Sequence, residues 1–164
     1  MTTTAGAVTL RPLAGRDHAA VEIMTRAVGV FRRDEIPVAL EVFQAAASRT
    51  DTYEGLAAER DGRLVGWICW GATPCTLGTF DLYWIVVDPS CQGQGIGTLL
   101  LQAMEQALAG RARLIVVETA GRADYAPTRA FYLKHRYQAV ACIPDFYAPG
   151  DDQVTFAKAL TIDD

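Results

Sequence analysis

Residues 88–98 read Asp-Pro-Ser-Cys-Gln-Gly-Gln-Gly-Ile-Gly-Thr, and no other stretch constrains the fold as tightly. An unbroken apolar run, residues 82–87, precedes it. After it Ile96, Leu99, Leu100, Ala103, Met104, Ala107 and Leu108 recur at helical spacing until Gly110 ends the stripe. A strand therefore passes into a helix through a turn with glycine at every second position. Such a turn lets backbone N–H groups point into one concavity, and the helix dipole adds partial positive charge there. That combination suits an anion, most naturally a pyrophosphate. A plain flexible turn is the simpler reading, and the alternating glycines directly before a strong helix weigh against it.

Two familiar phosphate sites are tested by the same residues. A Walker A loop needs Gly-Lys-Ser/Thr, and Gly97-Thr98 has no lysine. A dinucleotide fold needs G-x-G-x-x-G, but the sixth position is Thr98 counted from Gly93 and Leu100 counted from Gly95. Glu118 does end the next strand about where a ribose-binding acid would stand, which keeps a dinucleotide enzyme as a distant second reading.

The chain has 164 residues, which implies one domain spanning 1–164. Hydrophobic residues make up 51%, enough for a core without disulfides, and only residues 1–7 look small and polar enough to fray. Nineteen acidic against fifteen basic residues argue against a nucleic-acid partner. No apolar run approaches the roughly 20 residues of a membrane helix. The first residues lack a basic region followed by an apolar stretch, so the expected location is cytoplasmic. Cys69, Cys75, Cys91 and Cys142 form no C-x-x-C pair, and only His18 and His135 add nitrogen ligands. Reduced thiols and no metal site are expected.

Periodicity gives the remaining elements. Residues 7–12 read as a strand. Asp17 reads as a helix N-cap, with Val21, Met24, Val28 and Phe31 at helical spacing. A second helix surrounds Pro37, with Leu40, Phe43 and Ala47 on one face. Residues 53–60 and 63–70 read as a hairpin through Asp61-Gly62. Residues 80–87 read as a central strand buried on both faces, and 114–119 as a second buried strand. A helix over 126–134 and strands over 138–143 and 154–160 close the chain. The order β-α-α-β-β-β-α-β-α-β-β predicts an α/β (α+β) fold: a mixed central sheet of about six to seven strands flanked by about four helices.

Gln92-x-x-Gly95-x-Gly97 after Val-Val-Asp-Pro closely resembles the pyrophosphate loop of the GNAT acetyltransferase superfamily. Leu10-Arg11-Pro12 followed by Asp17, Gly66 in the third strand, and Phe131-Tyr132-Leu133-Lys134-His135-Arg136-Tyr137 extend the resemblance over essentially the whole chain. Tyr125 stands where the family often has Asn, and Arg136 where it often has Gly.

The resemblance implies an acetyl-CoA cosubstrate and no metal. It implies that Gln92, Gly93, Gln94, Gly95, Ile96, Gly97 and Thr98 hold the pyrophosphate, and that strand positions Ile85, Val86 and Val87 meet the pantetheine arm. Tyr132 matches the tyrosine that commonly protonates the departing thiolate, a role a phenol performs readily. Attack on a thioester needs a neutral amine, so a base must take its proton. Asp81, set in an apolar strand, is the first choice, and Glu118 at the end of the next strand is the reserve. A strand-start Asp81 facing water is an equal alternative, and a packed core tyrosine is the plain alternative for Tyr132.

The acceptor side is less marked. Trp67, Trp70, Tyr83 and Trp84 would line a pocket or, more often, a core. Residues 143–152 read as a polar hairpin loop in which Asp145 would attract a cationic amine, while Asp151 and Asp152 read as a solvated turn. Cys75, with no paired histidine, reads as a structural thiol. The expected activity is N-acetyl transfer to a small-molecule primary amine, with a protein or peptide acceptor, or an acyl-CoA sensor without turnover, as alternatives. Homodimers are common in the family.

Overall fold

The computed structural model describes residues 6–50 and 52–160; the expected fraying of residues 1–5 lies outside them. The elements are β1 (Thr9–Pro12), α1 (His18–Ala27), α2 (Glu35–Ser48), β2 (Tyr53–Arg60), β3 (Arg63–Ala72), β4 (Thr79–Val87), α3 (Ile96–Leu108), β5 (Leu114–Ala120), α4 (Ala126–Lys134), β6 (Gln138–Ala148) and β7 (Asp151–Ala159). The strands form one mixed seven-stranded sheet in the order β1-β2-β3-β4-β5-β7-β6. The element order is the expected one. The backbone groups into two compact units that divide β4 between them, one running to Gly71 and taking Tyr83–Ala107, the other holding Ala72–Leu82 and the chain from Leu108 onward.

In the first unit β1, β2 and β3 pair antiparallel. The β2–β3 turn places both Asp61 (φ 53°) and Gly62 (φ 75°) in the left-handed region, the geometry Asp-Gly favours in a two-residue hairpin. Successive residues of β3 face opposite ways. Gly66 faces α3, against Ile96 and Leu100. Trp67 faces α1 and α2: its indole Nε1 donates to Thr25 Oγ1 at 3.2 Å, and its ring meets Phe43 edge-on. Helices thus cover both faces of β3. Val21, Met24, Ala39, Phe43 and Trp67 belong to one buried cluster.

Asp17 precedes α1 as expected, but its carboxylate does not cap that helix. It accepts two bonds from the Arg11 guanidinium, both 2.8 Å, and one from the Ala14 N–H at 2.9 Å. A guanidinium fork outcompetes a single amide for a buried carboxylate. Val28 and Phe31 fall beyond the end of α1, and Phe31 packs instead on Trp84, 4.7 Å between ring centres.

In the second unit the start of β4 runs parallel to β5, with Asp81 beside Val116. This is the expected crossover through a helix. β7 lies between β5 and β6, antiparallel to both. The expected loop over 143–152 is mostly strand, because β6 reaches Ala148 and β7 begins at Asp151. Its polar residues close the hairpin from within: Gly150 N–H donates to Asp145 Oδ1 at 2.7 Å, and Asp145 N–H to Asp152 Oδ1 at 3.0 Å. Asp151 is buried, not solvated, and lies 3.6 Å from Arg122.

β4 is central in the sheet yet not buried on both faces. Phe80, Leu82 and Val86 are buried, whereas Tyr83 and Trp84 are half-buried because they rest on other rings, Tyr53 and Phe31. No helix among the described residues is long and apolar enough to cross a membrane.

The Arg11 bond holds the Asp17 carboxyl below the usual aspartate range. A lowered native pKa gives stability that is full above the unfolded value, about 3.9, and is lost as pH falls through the native one. Asp17→Asn is expected to destabilise the protein by about 1.5–3 kcal/mol at neutral pH. Denaturant unfolding at a series of pH values should show this deficit shrinking below about pH 4.

Candidate active site

The strand-to-helix turn is anchored at both ends. At its start, Asp88 Oδ1 accepts from Ser90 N–H (2.8 Å) and Ser90 Oγ (2.6 Å), and Asp88 Oδ2 pairs with Arg63 Nη2 at 2.6 Å. These bonds, Ser90's first, hold the Asp88 carboxyl below its ordinary range. The Asp88 N–H donates to Val65 O at 2.9 Å. At the other end Ile96 and Leu100 are buried, and Leu99 N–H donates to Gly95 O at 3.0 Å to open α3. Between these anchors Gly93 (φ 76°) and Gly95 (φ 80°) take the left-handed conformation, and no atom lies within 4 Å of where a Cβ would stand on either. Both glycines are exposed and the space on their Cβ side is open, which leaves room for a bulky anion such as a diphosphate beside the helix start. Gly97 lies within α3, so it contributes to the helix start and not to the turn.

Of the expected pantetheine positions, Val86 is buried, while Ile85 and Val87 are half-buried. Gln94 is exposed, and its Oε1 accepts from Arg60 Nη1 at 2.7 Å. Arg60 went unrecognised in the sequence, where its only signal is a place beside the Asp61-Gly62 turn.

In the second unit the two expected carboxylates come together. Asp81 is beside Val116, and Glu118 follows two residues later on the same face of β5. Asp81 Oδ2 accepts from Thr73 Oγ1 at 2.6 Å. Crowding by the protein, and then the charge of Asp81, raise the Glu118 carboxyl above its ordinary value. A carboxylate moved up in this way takes a proton more readily near neutral pH.

Tyr132 is 2% exposed, packed among Phe131, Tyr137 and Phe156 with ring centres 5.4–5.8 Å apart. Burial pushes its phenol well above the usual range, so it stays protonated. Arg136, two residues past the end of α4, has φ 67°, the left-handed conformation that glycine adopts without strain.

Trp67 and Trp70 are core residues, 0% and 2% exposed. A cleft of about 440 Å³ touches Trp70, Tyr53, Arg49 and Glu54, but none of the turn residues, the two carboxylates or Tyr132. Its lining lacks the chemistry that the turn and the carboxylate pair carry. Cys75 is exposed, and no three His, Cys, Asp or Glu among the described residues are grouped to hold a metal.

A mixed seven-stranded sheet with a parallel β-α-β crossover and a glycine turn at its helix start defines an α/β protein. The family model for GNAT acetyltransferases matches residues 18–137, and the chain belongs to that family. A solved GNAT-family acetyltransferase from Desulfovibrio desulfuricans superposes with a TM-score of 0.87 at 33% identity, covering 94% of this chain and 100% of its own. An uncharacterized N-acetyltransferase of Methanocaldococcus jannaschii is 30% identical over 106 residues, 62% of this chain and 63% of the relative. The S-(2-succino)cysteine N-acetyltransferase of Bacillus subtilis is 34% identical over 73 residues, 42% of this chain and 44% of the relative. Each match thus spans less than two thirds of the curated relative.

The pairing of Asp81 with Glu118 makes a direct prediction. Asp81→Asn removes the smaller of the two causes that raise Glu118, so the Glu118 pKa should fall part of the way to its ordinary value. A carboxyl-carbon NMR titration checks this, and an unmoved Glu118 would separate the two groups electrostatically.

Proposed function

We propose that the protein is an N-acetyltransferase that moves an acetyl group from acetyl-CoA to the primary amine of a small molecule, by direct attack in a ternary complex. The turn over residues 92–98 carries this reading, because its exposed Gly93 and Gly95 take the left-handed conformation with open space beside them, directly before a helix anchored by buried Ile96 and Leu100. When bound, the donor supplies the acetyl group as a thioester. The turn amides would hold its diphosphate, and the backbone of Ile85, Val86 and Val87 its pantetheine arm.

This chain's side chains then manage protons. An amine reaches the site as an ammonium with a pKa near about 10 and must lose a proton before it attacks. Glu118, raised by its surroundings and by Asp81, is the base in this reading. Asp81, held by Thr73, stays beside it as the fixed negative charge that attracts the cation. Tyr132 Oη, kept protonated by burial, gives its proton to the departing sulfur. Positioning of the two substrates supplies much of the remaining acceleration.

A small acceptor is supported by the acidic pair and by the Bacillus subtilis relative, named for a modified cysteine. The reading keeps the protein in the cytoplasm, consistent with four cysteines that are all free thiols.

Thiol release from acetyl-CoA across amino acids, polyamines, aminoglycosides and short peptides tests the reading. Release with a small amine establishes it. Release with peptides alone moves the acceptor to proteins, and binding without release for any amine identifies a sensor. In the active case Tyr132→Phe should lower kcat by about 100-fold or more, with acetyl-CoA affinity within about twofold. Steady-state kinetics paired with calorimetry separate the two effects.

A further inference from the structure

Residues 88–98 carry one carboxylate, Asp88, and no lysine or arginine. Backbone amides and a helix dipole offer only partial charges to an incoming phosphate. The missing full charge has to come from another element, and the β2–β3 hairpin brings two arginines to the turn. Arg63 is neutralised by Asp88, 2.6 Å away. Arg60 is different: Nη1 donates to the neutral Gln94 Oε1 at 2.7 Å.

No carboxylate among the described residues pairs with Arg60. Its neighbour Glu59 is committed to Arg11 at 2.9 Å, and Asp61 turns its side chain toward Gly6. The Arg60 Nε is enclosed and has no acceptor among the described residues. An enclosed donor on an uncompensated cation is unfavourable until an anion completes it. A guanidinium fork matches phosphate oxygens in shape as well as charge.

We infer that Arg60 is a phosphate-binding residue of the donor site, steered by Gln94 and supplying the full positive charge that the glycine turn lacks. The inference rests on the acetyltransferase reading and extends it to a residue outside the turn. It assigns to the hairpin a share in donor affinity, and to the Gln94 side chain the task of aiming the guanidinium.

Calorimetric titration of the full chain with CoA, and with dephospho-CoA, which lacks the 3′-phosphate, tests it. Arg60→Met keeps most of the aliphatic stem and removes the charge. CoA binding by Arg60→Met should weaken by about tenfold or more, and most strongly at low salt. Arg60→Lys should recover part of the loss. A loss that persists with dephospho-CoA assigns Arg60 to the diphosphate, and one that vanishes assigns it to the 3′-phosphate; both are phosphates of the donor. An Arg60→Met protein that melts like the parent and binds CoA within about twofold overturns the inference. If the parent itself binds no CoA, the acetyltransferase reading falls, a result distinct from failure of Arg60 alone.

Discussion

Residue 66 has no side chain, and the seat of α3 depends on that. A Cβ at Gly66 would stand 3.1 Å from Leu100 Cδ1, 3.1 Å from Val86 O and 3.2 Å from Ile96 Cγ2. The helix lies against β3 so closely that a side chain at residue 66 would press on Ile96, Leu100 and the Val86 carbonyl. Ile96 and Leu100 can then be fully buried in the first turns of α3, so the helix start is fixed by packing. A glycine turn has high conformational entropy by itself. Tied to a packed helix at one end and to the Asp88 bonds at the other, it becomes a shaped concavity.

Charge is distributed unevenly around this frame. Arg11 joins Asp17 and Glu59, tying β1 to the approach of α1 and to the end of β2. Asp88 absorbs Arg63. Asp81 accepts from a neutral hydroxyl, and the adjacent Glu118 is raised in part by the charge of Asp81. Arg60 likewise meets only a neutral amide. Structural ion pairs satisfy their own charges, whereas Asp81 and Arg60 meet neutral partners.

Much of the fold was legible because its signals are local. Residues 53–60 and 126–134 carry the bounds that the structure shows, since turn residues and hydrophobic period each act within a few residues. The glycine turn was legible for the same reason. Reading failed where a tertiary partner claimed the residue. Asp17 has the sequence position of a cap, yet Arg11 holds its carboxylate. Residues 143–152 have the composition of a loop, yet their aspartates close a longer hairpin, and Asp151 is buried beside Arg122. The run 82–87 is apolar enough for a fully buried strand, but its rings rest on Tyr53 and Phe31 and keep part of their surface in water.

The sequence by itself determined the order of elements, the single β-α-β crossover and the glycine turn. Backbone preference, hydrophobic period and glycine freedom are properties of neighbouring residues, and they are written along the chain. Tertiary structure alone decided which charges are satisfied and which are left for chemistry. Arg60 reaches Gln94 across 34 positions, and Asp81 stands near Glu118 because parallel register sets it beside Val116. Register and helix placement arise only when the strands pair and the core closes around Gly66, so these partnerships have no local trace in the sequence.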